Sequence, residues 1–159
     1  MKPPAWLSSN LQIQADCIEQ ATAANEKGKR FELVAPSGSQ VFKVKVDGCW
    51  IKSEQTQKVD YMFCCVLHNQ PVTQDVILVE LKGRHYGEAL EQMKATLAKL
   101  QPYLSAIKPR QLIGCIVLSN GNEVGNYQTE ALRIRKRYGI VLQHKSKELK
   151  LCKIGRAHV

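Results

Sequence analysis

The sequence predicts an α/β domain with a central mixed β-sheet flanked by helices, and three observations predict it. The chain has 159 residues, 44% of them hydrophobic, which suits one compact domain able to bury both faces of a modest sheet. Two near-continuous apolar runs, 59–67 and 76–81, are typical of strands buried on both faces. An amphipathic segment, 86–104, follows them with leucine and methionine at spacings of three and four residues.

The N-terminal third predicts one helix and three strands. Apolar residues at helical spacing predict a helix over 10–27, which Gly28 ends. The segments 31–34 and 41–46 are predicted strands separated by a turn-forming Pro-Ser-Gly-Ser stretch, and a short third strand begins at 49–51.

The remaining elements complete one α/β unit. The two apolar runs are predicted to pair as an antiparallel hairpin centred near Pro71. The elements that follow are helix 86–104, strand 112–118, a basic helix over 127–138 and strand 140–142. We expect one domain over 1–153, whereas 154–159 lacks periodicity and is expected to be a disordered tail or a cloning remnant.

The chain is basic, with 23 Lys and Arg against 14 Asp and Glu and a formal net charge of +9. Such a balance favours a polyanionic partner, and nucleic acid is the commonest one, because each phosphate contacted by a basic side chain releases counterions. The candidate phosphate contacts include Lys43 and Lys45, which alternate with apolar residues in one strand, and Arg133 and Arg137 in the basic helix. The alternative for each is a solvated charged face.

Cysteine usage and hydropathy bear on the compartment. None of the six cysteines forms a C-x-x-C pair with the spacing of metal ligands, so we expect reduced thiols. The N-terminus lacks the apolar core of a secretion signal, and no run approaches the roughly 20 residues of a membrane span. We therefore expect a cytoplasmic protein with no membrane partner.

The residues best suited to chemistry lie at the ends of the two apolar runs. Glu80 and Lys82 are two apart in a strand, so they share a face at a spacing of about 6.6 Å. The predicted hairpin places Asp60 opposite Lys82 and diagonal to Glu80. Two carboxylates beside a lysine suit phosphodiester hydrolysis, with Asp60 and Glu80 holding Mg²⁺ or Mn²⁺ and Lys82 orienting water. The alternative is a structural ion pair.

This arrangement resembles the PD-(D/E)XK nuclease superfamily. Val59-Asp60 lies on one strand and Glu80-Leu81-Lys82 on the next, with 19 residues between the two acidic positions, and an amphipathic helix follows. The order of elements over 10–143 resembles the family, which implies a restriction-endonuclease-like core with a divalent-metal site at the strand ends. Val59 stands where the family's name has proline, a position that supplies no ligand.

Further residues are candidates through the same resemblance. Some members add a glutamate from the first helix, where Glu19 is the candidate metal ligand and a solvated charge is the alternative. Others use a glutamine in the helix after the triplet, where Gln92 stands, but no tyrosine follows at the family's spacing, so we expect Gln92 to be a surface residue. Arg84 and His85 follow the triplet and could clamp phosphate or stack a base, or belong to an ordinary loop.

Two functions follow from these expectations. The first is a metal-dependent nuclease whose favoured substrate is DNA, with RNA as the less favoured one. The small size favours nonspecific, structure-directed or partner-guided cutting, and a homodimer would suit cleavage of both strands. The second is an inactive nuclease-fold adaptor that binds nucleic acid or protein.

Overall fold

A computed structural model describes residues 2–68, 70–81, 85–120 and 124–152 of the chain. A six-stranded sheet contains β1 (Ile18–Gln20), β4 (Gln40–Lys45), β5 (Tyr61–Leu67), β6 (Thr73–Glu80), β7 (Gln111–Leu118) and β8 (Val141–Ser146), adjacent in that order. A three-stranded sheet contains β2 (Ala23–Glu26), β3 (Lys29–Leu33) and β9 (Glu148–Leu151). The two α-helices are α1 (Tyr86–Ile107) and α2 (Gln128–Tyr138).

The large sheet is mixed, as predicted. Strands β4, β5 and β6 pair antiparallel, and β6, β7 and β8 pair parallel. The parallel strands are joined by α1 and α2, because a parallel neighbour can be reached only by a crossover connection. The fold is therefore α/β with a mixed sheet.

The two faces of this sheet are covered differently. On the helical face, Met62 and Leu78 belong to one core with Leu90 of α1 and Ile134 of α2. The other face packs against the small sheet, through side chains such as Phe63, Ile77, Phe31 and Leu149. The expectation of a sheet flanked by helices is met on the helical face, whereas the small sheet supplies the apolar layer that the other face requires.

The predicted helix over 10–27 is also wrong. That segment contains a π-helical turn (Trp6–Asn10), a 3₁₀ turn (Ala15–Cys17) and the strands β1 and β2. Lys27 and Gly28 have φ angles of 50° and 77°, and they join β2 to β3 where Glu26 pairs with Lys29. Positive φ at both central residues is the signature of a type I′ hairpin. Gly28 therefore serves a hairpin turn and ends no helix.

The other predicted elements are confirmed with small changes. The predicted helix 86–104 continues to Ile107, and the basic helix is α2. The last predicted strand extends to Ser146. The short strand predicted at 49–51 is represented by an isolated β-bridge between Asp47 and Ile51. Strand β9 was not predicted, although Leu149 and Leu151 alternate with charged residues. The tail at 154–159 lies outside the described residues.

The cysteines contradict the expectation of six reduced thiols. Cys17 and Cys49 form a disulfide that joins the turn before β1 to the turn after β4. The antiparallel pairing of Ile18 with Val44 brings these two turns together, which no sequence spacing indicates. In the part of the chain that the structure describes, no helix is both long and apolar enough to cross a membrane.

The first testable prediction concerns the β2–β3 turn. Lys27 is exposed with a positive φ, a conformation that costs most L-residues about 1–2 kcal/mol and asparagine less. Lys27→Asn should therefore raise the free energy of unfolding by up to about 1 kcal/mol, measured by urea denaturation. Lys52→Asn is the control, because Lys52 is exposed without a positive φ. Destabilisation by Lys27→Asn alone would indicate the helix instead.

The second prediction concerns the thiols. Burial raises the pKa of Cys64 to about 12 and that of Cys65 to about 11, and burial also raises the pKa of Cys115. These thiols stay protonated at pH 8 and should react slowly with an alkylating reagent, whereas exposed Cys152 should react quickly.

Thiol counting tests the disulfide directly. Denatured protein should show four thiols before reduction and six after it, because two of the six cysteines are cross-linked. The cross-linked residues are 32 apart, so reduction should lower the free energy of unfolding by up to about 3–4 kcal/mol. Six thiols in unreduced protein would contradict the cross-link.

Candidate active site

Two acidic residues lie side by side at one end of the large sheet. Asp60 immediately precedes β5 and Glu80 ends β6, and their exposed fractions are 3% and 1%. The observed register pairs Tyr61 with Val79, so the next position along places Asp60 beside Glu80. Both residues continue the alternation of Met62 and Leu78 on the helical face.

This register differs from the predicted one by two residues. The prediction centred the hairpin near Pro71 and placed Asp60 opposite Lys82. The strands instead begin to pair at Leu67 and Thr73, which moves the centre of the connection one residue towards the N-terminus. The carboxylates are therefore closer neighbours than the sequence indicated. Lys82 itself lies outside the described residues.

Backbone groups hold Asp60 in place. Its Oδ2 accepts a 2.7 Å hydrogen bond from the N–H of Leu81, the residue that follows Glu80. Its main-chain oxygen accepts hydrogen bonds from the N–H groups of Val46 and Asp47, at 3.0 and 3.3 Å. A hydrogen bond from a backbone N–H satisfies an oxygen of a carboxylate that is buried in this way. Asp60 is thus oriented towards the end of β6.

Helix α1 holds the backbone just before Asp60, at Val59. The Thr96 hydroxyl accepts a 3.0 Å hydrogen bond from the N–H of Val59 and donates to the main-chain oxygen of Gln92 at 2.9 Å. Thr96 is fully buried between the apolar positions Met93 and Leu97. The sequence signal for this contact was a polar residue within the apolar stripe of an amphipathic helix, and Thr96 was not among the predicted residues.

Aromatic and imidazole groups lie along the same row of the helical face. Glu80 pairs with Ile116, and Ile116 pairs with His144 on β8. The His144 ring centroid is 5.6 Å from that of Tyr86, which is 6.2 Å from that of Tyr127. His144 is exposed. Its imidazole lies on β8, two strands from Glu80 on β6. Sequence spacing could not reveal it, because the parallel register sets this position.

Glu19 is not brought together with the carboxylate pair. It lies on edge strand β1, opposite Lys43, which pairs with Phe63 on the face covered by the small sheet. The Glu19 side chain is 67% exposed and its Oε1 is 3.5 Å from Lys43 Nζ. Because the predicted first helix is absent from the described residues, the route by which Glu19 would reach the metal is lost.

Lys43 and Lys45 share a face of β4, as predicted, and line a cavity of about 260 Å³. Lys43 is partly buried, with Nζ 4.9 Å from the centroid of the Tyr61 ring, whereas Lys45 is exposed. The Tyr61 hydroxyl donates a 2.8 Å hydrogen bond to Glu26 Oε1. Burial and this bond raise the pKa of Tyr61 well above its ordinary value. Lys45 is the more accessible of the two lysines.

The remaining predicted contacts are dispersed. His85 is exposed at the N-cap of α1, directly beside the end of the sheet that carries the carboxylates, and Arg84 lies outside the described residues. Arg133 is exposed on α2, 3.8 Å from Glu130. Arg137 is near the end of α2, where β8 begins, which is the opposite end of the sheet from Glu80.

Gln92 is more than a surface residue. It lines a cavity of about 460 Å³ with Asp47, Lys58 and Glu88. Its side-chain oxygen is buried and has no hydrogen-bond partner among the described residues. The cavity adjoins the Asp60 segment, since the Asp47 N–H donates to the main-chain oxygen of Asp60.

The chemistry of the donor atoms limits which metals the chain could hold. Two carboxylates are hard oxygen ligands, which suit Mg²⁺ and Mn²⁺. Another group of potential ligands, Asp16 with Cys17 and Cys49, lies close together. Its two sulfurs are bonded to each other, so they offer no thiolate to a metal.

The contact between Thr96 and Val59 supplies a testable prediction. Thr96→Val keeps the shape of the side chain but leaves the buried Val59 N–H without an acceptor, which should cost about 1–3 kcal/mol of unfolding free energy. Thr96→Ser keeps the hydroxyl and should cost less. Urea denaturation of both variants measures the difference. A larger loss for serine than for valine would show that the methyl group matters and the hydrogen bond does not.

Comparison with models of protein families, with curated proteins and with solved structures finds no match to this chain. Its function is therefore argued from its own residues. What they provide is a pair of adjacent buried carboxylates, one of them oriented by a backbone N–H, at the end of a sheet in a strongly basic protein.

Proposed function

We propose that this chain is a metal-dependent nuclease that hydrolyses phosphodiester bonds of nucleic acid, with DNA as the expected substrate. The observation that carries the proposal is the pairing of Asp60 with Glu80, both buried, at the end of neighbouring strands. Burial of two like charges side by side is costly unless a cation or a reaction requires them. The net charge of +9 supports a polyanionic substrate.

The order of elements supports the resemblance to PD-(D/E)XK nucleases in part. Strands β4, β5 and β6 form an antiparallel meander, α1 follows, and β7 pairs parallel to β6. In this order Asp60 immediately precedes the second strand of the meander and Glu80 ends the third. The helix that should precede the meander is absent from the described residues, and strands occupy its place.

Asp60 and Glu80 are the residues that would hold Mg²⁺ or Mn²⁺. The bound cation would polarise the scissile phosphate and lower the pKa of a coordinated water. The hydrogen bond from the Leu81 N–H fixes the orientation of the Asp60 carboxylate. An oriented carboxylate needs no rearrangement when charge develops in the transition state.

Lys82 completes the proposed set through its place in the sequence. It follows Leu81, whose N–H is bonded to Asp60. In this proposal its ammonium group orients the attacking water or neutralises charge developing on the phosphate. The exposed residues His85 and Lys45 are the proposed phosphate contacts outside the centre.

Cleavage assays provide the decisive test of this proposal. Labelled single- and double-stranded DNA and RNA of one sequence are incubated with Mg²⁺, Mn²⁺ or a chelator. We expect metal-dependent cutting that falls at least about a hundredfold in Asp60→Asn, Glu80→Gln and Lys82→Ala, because each removes a group that acts on the transition state. Glu91→Gln is the control, since Glu91 is an exposed acid on α1.

Metal binding separates the roles of the three residues. Titration with Mn²⁺, followed by electron paramagnetic resonance, should show binding to the wild type and to Lys82→Ala, but not to Asp60→Asn or Glu80→Gln. Cutting that persists with chelator, or in both carboxylate variants, would refute the proposal. Nucleic-acid binding without any cutting would instead favour the adaptor.

A further inference from the structure

A cavity of about 450 Å³ lies at the end of the sheet opposite the carboxylate pair. It is formed where α1 and α2 end and where β7 and β8 begin, whereas Glu80 ends β6, which runs parallel to both strands. Its volume is within the range of about 300–1,000 Å³ typical of small-molecule sites. The lining combines an apolar wall, including Leu104 and Leu112, with an aromatic ring and several polar groups.

Gln111 is the buried polar group of this cavity. It begins β7, its exposed fraction is 7%, and its side-chain oxygen has no hydrogen-bond partner in the part of the chain that the structure describes. A buried acceptor without a donor is destabilising, whereas leucine in the same place would add apolar packing. An amide beside an open cavity is useful when a ligand supplies the missing donor.

Arg137 supplies a cation to the same cavity. Its guanidinium carbon is 5.4 Å from the centroid of the Tyr138 ring, and none of the carboxylates that the structure describes forms an ion pair with it. Arg110 differs, because Asp75 holds it through hydrogen bonds of 3.1 and 2.8 Å. Arg110 is therefore a structural part of the cavity wall, and Arg137 is the candidate cation for binding an anion.

We propose that this cavity binds the nucleoside monophosphate group, either of a free nucleotide or of the terminal nucleotide of a strand. The three features match its three parts. The apolar wall accepts the face of a base beside the stacked Arg137 and Tyr138 side chains. The Gln111 amide meets a donor on the base edge, and the Arg137 guanidinium binds the phosphate. The site is independent of the carboxylate pair and of metal.

Calorimetric titration of the full chain with the four nucleoside 5′-monophosphates tests the proposal, with chelator present so that the carboxylate pair contributes nothing. We expect binding that weakens at least about tenfold in Arg137→Ala and in Gln111→Leu, since each loses a polar contact with the ligand. Lys136→Ala is the control, because Lys136 is an exposed cation of the same helix outside the cavity.

Thermal unfolding without ligand gives a second readout. Gln111→Leu should raise the melting temperature while it weakens binding, because the buried acceptor is removed. Inorganic phosphate and the free nucleosides are titrated separately, and a short oligonucleotide that binds more tightly than the monophosphates would identify the strand end as the source of the ligand.

Three results would overturn the proposal. The first is the absence of binding by any monophosphate or oligonucleotide at millimolar concentration. The second is binding that is equal in the wild type and both cavity variants. The third is phosphate binding as tight as nucleotide binding, which would make the cavity a simple anion site. Loss of cleavage in Asp60→Asn with nucleotide binding intact would separate this site from the proposed nuclease.

Discussion

The antiparallel pairing of β5 with β6 is the constraint on which the rest of the structure depends. Both strands are apolar on both faces, so they occupy the centre of the sheet with neighbours on each side. The two faces pack against different layers, helices on one side and the small sheet on the other, so a slip of one residue would bring every side chain to the wrong layer. The same register that buries Met62 beside Leu78 places Asp60 beside Glu80. Core packing and the candidate chemistry therefore share one cause.

Two buried carboxylates at the end of such a hairpin require support from elsewhere in the fold. The Leu81 N–H orients Asp60, and Thr96 ties the start of β5 to α1. The hydrogen bonds from the N–H groups of Val46 and Asp47 attach the end of β4 to the main-chain oxygen of Asp60. These contacts come from three separate elements, so Asp60 is held on a rigid scaffold.

The opposite end of the sheet shows what a structural charge pair looks like in this protein. Asp75, fully buried near the start of β6, is matched by the two hydrogen bonds from Arg110. That geometry is bidentate, and such a pair satisfies both ions. Asp60 instead accepts a backbone N–H and lies beside a second carboxylate. The two ends of one strand thus carry acidic residues in different chemical settings.

The sequence alone determined the elements whose local pattern is unambiguous. The apolar runs identified β5, β6 and β7, and helical spacing identified α1 and α2, because burial on both faces or on one stripe leaves a direct trace in residue order. It also singled out Asp60 and Glu80, since acidic residues that end apolar strands are costly. It failed over 10–27, where scattered apolar residues fitted a helix while Lys27-Gly28 formed a hairpin turn.

Tertiary structure alone decided how these elements combine. The hairpin register made Asp60 and Glu80 direct neighbours, the position of β1 beside β4 joined Cys17 to Cys49, and the small sheet covered the face that lies away from the helices. The parallel pairing of β6 with β7 and of β7 with β8 set the neighbours of Gln111 and His144. Local pattern records which residues are buried, but not their partners, because partners depend on contacts between segments far apart in sequence.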